Sequence, residues 1–197
     1  RGYADLALRD GELWIFEEGQ GWLRFEPGRR QLLALAEAGA PTDTVVAQSD
    51  EPGEPWYVAN RNTLFRRDAG LWTALDWPGL PRILSERIET LARLPDGSVA
   101  IGTRFGGLYQ YSATGELKRH LATALFPGER ITDIEMDAEG GLWLSLDGGI
   151  VRVEADSRYT RFDRELGAGQ IERIRRIDGH LLVASRLGMK RLEPDPR

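Results

Sequence analysis

The chain has 197 residues, 41% of them hydrophobic and 29% charged, an ordinary globular mix long enough for one large or two small domains. A formal net charge of −5 argues against a nucleic-acid surface, and the absence of cysteine excludes disulfides, thiolate catalysis and Cys-based metal sites. No run approaches the roughly 18 apolar residues of a membrane helix.

Short alternating strands separated by turn residues fill the chain in five successive units. The first reads as strands over Ala4 to Arg9, Leu13 to Phe16, Trp22 to Phe25 and Gln31 to Leu35, with Asp10 and Gly11 as the first turn. The second has Thr44 to Gln48, a turn through Pro52 and Gly53, then Trp56 to Ala59, Thr63 to Arg66 and Leu71 to Leu75. The third has Ile88 to Arg93, Asp96 and Gly97 as turn, Val99 to Gly102, Leu108 to Tyr111 and Leu117 to Leu121. In the fourth, a strand from Ile131 ends at Asp137, and Leu142 to Leu146, Ile150 to Val153 and Tyr159 to Phe162 follow it. The fifth has Ile171 to Arg176, Leu181 to Ala184 and Met189 to Leu192, and Glu193 to Arg197 are too few and too polar for a fourth strand.

Two markers keep one period through these units. The glycine that opens the third strand falls at Gly21, Gly107, Gly149 and Gly188, with Asn62 in its place in the second unit, at steps of 41, 45, 42 and 39 residues. Trp14, Trp56, Ala100, Trp143 and Leu182 run in parallel at steps of 42, 44, 43 and 39. A period near 40 built from four short strands predicts a β-propeller blade. The expected fold is therefore all-β: a propeller or propeller fragment of about five four-stranded antiparallel blades, the last incomplete. Residues 1–197 form one region, with blades near 3–41, 42–86, 87–129, 130–169 and 170–197.

Longer connections at Ala36 to Thr42, Trp77 to Glu86, Ala122 to Glu129 and Arg164 to Gly169 join one unit to the next, with short helical turns expected around Leu33 to Glu37 and Leu121 to Leu125. The chain starts at Arg1 without Met and enters a strand pattern at once, which reads as a piece of a longer protein. An open array of blades would bare two apolar faces, so further blades or domains of a parent protein are expected partners.

Asp137, Gly140, Leu142, Trp143, Gly149 and Ile150 resemble the repeat of the two-component regulator propeller family. Asp96, Gly97, Val99, Ile101, Gly102, Thr103, Gly107, Leu108 and Tyr109 match its other half, and Asp10, Gly11, Leu13, Trp14 and Ile15 match in the first unit. The second unit departs with Asn60, Arg61, Asn62 and Thr63 at the turn, and the third with Ala100 in place of Trp. The resemblance implies an extracytoplasmic, periplasmic sensor region of a bacterial inner-membrane signalling protein. It implies an output domain of histidine kinase or diguanylate cyclase type outside these residues, and signalling as a homodimer. On this reading the region is not itself an enzyme. A protein–protein interaction scaffold is the second reading, and a propeller lyase or hydrolase the third.

The turns between second and third strands ring one end of a propeller axis and carry different polar residues in each unit. Asn60, Arg61, Arg104, Phe105, Asp147 and Arg186 are the candidate ligand-binding residues. Arg104 and Arg186 are read as flanking the Asp147 turn, so the rim suits an anionic or carbohydrate small ligand. Exposed turns that drift freely give the same variety, and the sequence leaves both readings open. Trp14, Trp56 and Trp143 are expected to pack between blades. Trp72 and Trp77 lie off that position and have a better claim to surface recognition, with packing still the stronger reading. His120 and His180 have no neighbours at metal-ligand spacing and read as surface residues. Asp10, Asp96, Asp137 and Asp178 open the first turns, where Asx bonds explain them. No cofactor or metal is expected, and no nucleic acid.

Overall fold

A computed structural model describes residues 5–35, 37–126, 129–154, 159–162 and 170–192. Expectations for Ala4, for Ala36, for residues 163–169 and for Glu193 to Arg197 lie outside the described residues. Five antiparallel sheets follow one another as the blades of a propeller. Blade one comprises β1 (Asp5–Arg9), β2 (Glu12–Glu17), β3 (Gly21–Glu26) and β4 (Gln31–Ala34). Blade two comprises β5 (Val45–Gln48), β6 (Trp56–Asn60), β7 (Leu64–Asp68) and β8 (Leu71–Ala74). A helix, α1 (Leu80–Ser85), leads to blade three: β9 (Ile88–Arg93), β10 (Val99–Thr103), β11 (Leu108–Tyr111) and β12 (Leu117–Leu121). After a 3₁₀ turn at Thr123–Leu125 comes blade four: β13 (Ile131–Met136), β14 (Leu142–Leu146), β15 (Ile150–Val153) and β16 (Tyr159–Phe162). Blade five has three strands among the described residues: β17 (Ile171–Ile177), β18 (His180–Ser185) and β19 (Gly188–Leu192).

The inner strands β5, β9, β13 and β17 line the axis, and an isolated parallel bridge joins Ser49, just past β5, to Leu91 of β9. The second strands of blades two, three and four are covered on both sides, β6 and β10 along their whole length. The cause is alternation: successive residues point to opposite faces, and each face meets another blade. In blade two, Trp56 and Val58 pack on Trp14, Phe16 and Trp22 of blade one, while Tyr57 and Ala59 pack on Leu91, Val99 and Ile101 of blade three. Ala100 and Leu108 then meet Ile134 and Leu144 of blade four, and Ile150 meets Ile174 and Val183 of blade five.

Register corrects the second unit. Glu17 opposes Gly21, Asn60 donates its N–H to Thr63, Thr103 donates to Gly107, and Leu146 donates to Gly149. Thr63, not Asn62, therefore holds the glycine place. By the same register Tyr57, not Trp56, is equivalent to Trp14, Ala100 and Trp143. Trp56 aligns with Leu13, Val99 and Leu142, on the face toward the preceding blade.

The two tryptophans with the better claim to surface recognition are packed. Trp72 and Trp77 are buried. Trp77 stacks on Tyr111 at 5.1 Å between ring centres, and Trp72 lies 5.3 Å from Trp56. The Trp72 indole N–H also donates to Glu37 at 2.6 Å. No helical turn forms around Leu33, which belongs to β4, whereas one does form at Thr123–Leu125. The helix α1 was not expected. It has only six residues, opens on Gly79 at φ 82° and Pro81, and is held by Leu80 and Ile83 buried against blades two and three.

The first turns use two devices. Asp96 accepts the Ser98 N–H at 2.9 Å and its hydroxyl at 2.5 Å, and these bonds hold its carboxyl at about 2. Asp137 accepts Gly141 N–H at 2.7 Å. Asp10 and Asp178 instead have φ of 52° and 50°, each followed by a glycine at positive φ, the two-residue turn that matches strand twist.

One face is bare. Leu6 of β1 pairs with Ile15 as Leu91 pairs with Ile101, Ile134 with Leu144 and Ile174 with Val183. Leu91 and Ile134 are 3% exposed and Ile174 is 0% exposed, each against the preceding blade; Leu6 is 58% exposed and Leu8 69%.

Trp56 is 1% exposed and touches three other indoles, Trp14, Trp22 and Trp72. Trp56→Ala is expected to cost about 3–5 kcal/mol, read as a lowered urea midpoint with an unchanged slope. A loss under about 1 kcal/mol would contradict its place at the centre of this core.

Candidate functional site

Each inner strand begins at the end of the propeller that carries the turns between second and third strands, here the upper end. Two clefts open there. The larger, about 740 Å³, lies between the turns of blades three and four and is lined by Arg104, Phe105, Thr123, Glu129, Arg130, Asp147 and Gln170. The second, about 520 Å³, lies between the turns of blades two and three. Val46, Asn60, Arg61, Leu84, Ser85, Arg87, Ile88, Glu89 and Arg104 line it. Arg104 is the wall that the two share.

Local folding rules place these side chains. In the β10–β11 turn the Thr103 hydroxyl donates to the Gly107 carbonyl and accepts from Gly106 N–H, both at 2.9 Å. Gly107 sits at φ 90° with the Leu121 carbonyl so close that a Cβ would fall 2.0 Å from it, so only glycine closes this turn. His120, half-buried rather than on the surface, bonds through Nε2 to the Gly106 carbonyl at 2.8 Å and stacks on Tyr109. The loop is thus pinned from below and thrusts Arg104 and Phe105 upward. In the β6–β7 turn the buried Asn60 side chain accepts the N–H groups of Asn62 and Thr63 at 2.9 and 2.8 Å. That carbonyl oxygen is spent on the turn, and Arg61 projects from it.

The charges differ between the clefts. Glu89 accepts Arg104 at 2.5 Å and lies 3.8 Å from Arg130, and Arg130 donates to Asp147 at 2.9 Å. Asp147 also accepts the Gln170 amide at 3.1 Å and raises the pKa of Arg130. Glu129 pairs with Arg161 and accepts Gly148 N–H at 2.9 Å. The larger cleft is therefore a balanced network. Of the sequence candidates, Asn60, Arg61, Arg104, Phe105 and Asp147 line the clefts. Arg186 does not: it is highly exposed and pairs with Glu172 at 3.1 Å. Arg87, Glu89 and Arg130 were not among the candidates, because they stand outside the turns between second and third strands: Arg87 and Arg130 just before β9 and β13, Glu89 within β9. No sequence signal singled them out, since the variable connections end at Glu86 and Glu129 and Glu89 reads as part of an inner strand.

Along the axis, Asp5, Asp50 and Arg173 line a cavity of about 330 Å³. Asp50 of blade two reaches Arg173 at 3.4 Å and also pairs with Arg175, which holds Asp133 of blade four at 3.0 Å. These pairs tie blades two, four and five across the axis. Below them, Glu51, Asp133, Glu135 and Arg175 line a cavity of about 320 Å³. Burial raises all three carboxyls there, Glu135 to about 7. Among the described residues no group of His, Asp or Glu is arranged to hold a metal ion.

Comparison with solved structures places the fold in company. The extracellular domain of the hybrid two-component system BT4673 of B. thetaiotaomicron is 21% identical with a TM-score of 0.67, over 93% of this chain and 26% of that one. The corresponding domain of BT3049 from the same organism is 21% identical with a TM-score of 0.70, over 92% and 25%. Virginiamycin B lyase of Staphylococcus aureus is 14% identical with a TM-score of 0.69, over 97% and 66%. The chain spans about a quarter of the length of these two extracellular domains. No family model matches the chain, and no curated protein matches it. At these identities the likeness shows the propeller fold that the chain shares with extracellular domains of two-component systems, and with an enzyme. No described helix is long and apolar enough to cross a membrane.

The Glu135 carboxyl keeps its proton to about 7 in the folded chain, against an ordinary value of 4.5 when unfolded. Between those values the folded state binds more protons, so stability from this group falls as pH rises. Glu135→Gln should raise stability by about 1–2 kcal/mol at pH 8, after discounting for partial exposure. The gain should vanish at pH 4. Urea midpoints at the two pH values measure it, and an equal effect at both would contradict the assignment.

Proposed function

We propose that this chain is the ligand-sensing propeller of a bacterial transmembrane regulator of histidine kinase or diguanylate cyclase type, lying in the periplasm, with ligand taken at the upper end. The observation that carries the reading is the pair of adjoining clefts built from turns whose polar residues change from blade to blade. The structural likeness to extracellular domains of two-component systems supports the regulator context. A rigid scaffold that varies only its rim is how one fold serves many ligands.

The mechanism follows from the shared wall. A ligand in either cleft contacts Arg104, whose partner Glu89 stands at the start of β9, and Arg130, at the start of β13, answers to the same carboxylate. Ligand contacts that redistribute these pairs alter how blades three and four meet at the axis. Such a shift drives output only to the extent that the ligand binds the two arrangements differently. Arg104→Ala in the full-length regulator should abolish the ligand-dependent change in output, while Arg186→Ala should leave it intact. Output unchanged in both variants would remove the reading.

The second reading is an interaction propeller, and the bare blade-one face favours it. Leu6, Leu8 and Leu13 stand where every later blade is covered by its predecessor, so a further blade of the parent protein would seat there. Leu6→Lys with Leu8→Lys should leave the isolated chain within about 0.5 kcal/mol of its original stability. In a longer polypeptide that supplies the covering sheet, the pair should cost at least about 2 kcal/mol. Equal tolerance in both would argue that the face stays open.

A further inference from the structure

The smaller upper cleft differs from the larger one in charge. Its wall carries Arg61, Arg87 and Arg104 against one carboxylate, Glu89, and Arg104 is the partner that Glu89 takes. Among the described residues, Arg61 and Arg87 line the cleft without a carboxylate, on a chain with 31 acidic and 26 basic residues. Elsewhere at this end the cations are neutralised, as Arg130 and Arg161 are by Asp147 and Glu129. Both guanidinium groups are exposed at the mouth of the cleft, where they give it a local positive potential on an otherwise acidic chain.

The end of α1 fixes where Arg87 stands. Its φ is 61°, and every other described non-glycine residue at positive φ (Asp10, Arg30, Ala69, Asp178) lies in a hairpin turn. Arg87 lies instead between α1 and β9. Its N–H donates to the Leu84 carbonyl at 3.1 Å, and its own carbonyl accepts the Arg104 N–H at 2.8 Å. The guanidinium stands 5.6 Å over the exposed Phe105 ring. Arg87 is the residue after the C-cap of α1, where left-handed backbone commonly ends a helix, and glycine can take its place without strain. Val46, Leu84 and Ile88 supply an apolar floor beside the cations.

We infer that the cleft between the turns of blades two and three binds a small oxyanion-bearing molecule. Arg61 and Arg87 clamp its carboxylate or phosphate, and its apolar body rests on Val46, Leu84 and Ile88. Planar guanidinium forks suit both anions, and the floor selects ligands that carry more than the charge. This deepens the sensor reading and rests on it for the use to which binding is put.

The test is an amide-shift NMR titration with benzoate, phenyl phosphate and the uncharged benzamide. Benzoate or phenyl phosphate should give saturable shifts at 60–62 and 84–89, and benzamide should not; the stronger of the two anions identifies the head group. Arg61→Ala and Arg87→Gly should each weaken binding about tenfold. Arg87→Gly should keep or raise the melting temperature, which separates lost binding from lost folding. Arg186→Ala should change nothing. Equal binding of benzamide, no saturable shift with either anion, or anion binding that survives both substitutions would overturn the inference. Saturable binding confined to the larger cleft would overturn it too, while leaving the sensor reading in place.

Discussion

The central blades of this molecule are sheets with two apolar faces, and that single constraint organises it. A sheet with one wet face shows apolar residues at alternate positions. The strands β6 and β10 are buried at every residue, so neither blade two nor blade three is stable unless a sheet covers each side. The pairing of large with small across each gap follows from it. Four indoles fill the space between blades one and two. Between blades three and four, Ala100 and Ala92 face branched aliphatics. Because the sheets are fixed by this packing, the turns at the upper end are free of it and are the part of the chain able to specialise.

The architecture was legible because it repeats: glycines that open third strands and aspartates that open first turns recur with the blade, and each has a backbone reason. What misled was the second unit. Trp56 looks like the partner of Trp14 and Trp143 by residue type, yet register gives that place to Tyr57. The shift flips an indole from one face of the sheet to the other, and only strand pairing reveals it. The helix α1 was illegible for the opposite reason. Six residues opening on Gly79 and Pro81 carry no helical signal of their own, and tertiary burial of Leu80 and Ile83 holds them.

The rim was half legible. Turn residues that change from unit to unit point to Arg61, Arg104 and Asp147, which do stand around the clefts. Sequence spacing could not show that Arg104 is already held by Glu89, or that Arg186 stands apart beside Glu172. Nor could it bring Arg87 beside them, because Arg87 and Arg130 stand just before inner strands, outside the turns that it singles out. Charge in such a site is a property of the assembled neighbours: two clefts that share one arginine differ because the larger holds its own counter-ions.

The constraint from which the rest follows is two-sided burial, and native-state hydrogen exchange along the second strands measures it directly. The account predicts the slowest exchange in β6, β10 and β14, each covered on both faces. It predicts clearly faster exchange in β2, whose Leu13 side is bare. Protection of β2 equal to that of β10 in the isolated chain would contradict it.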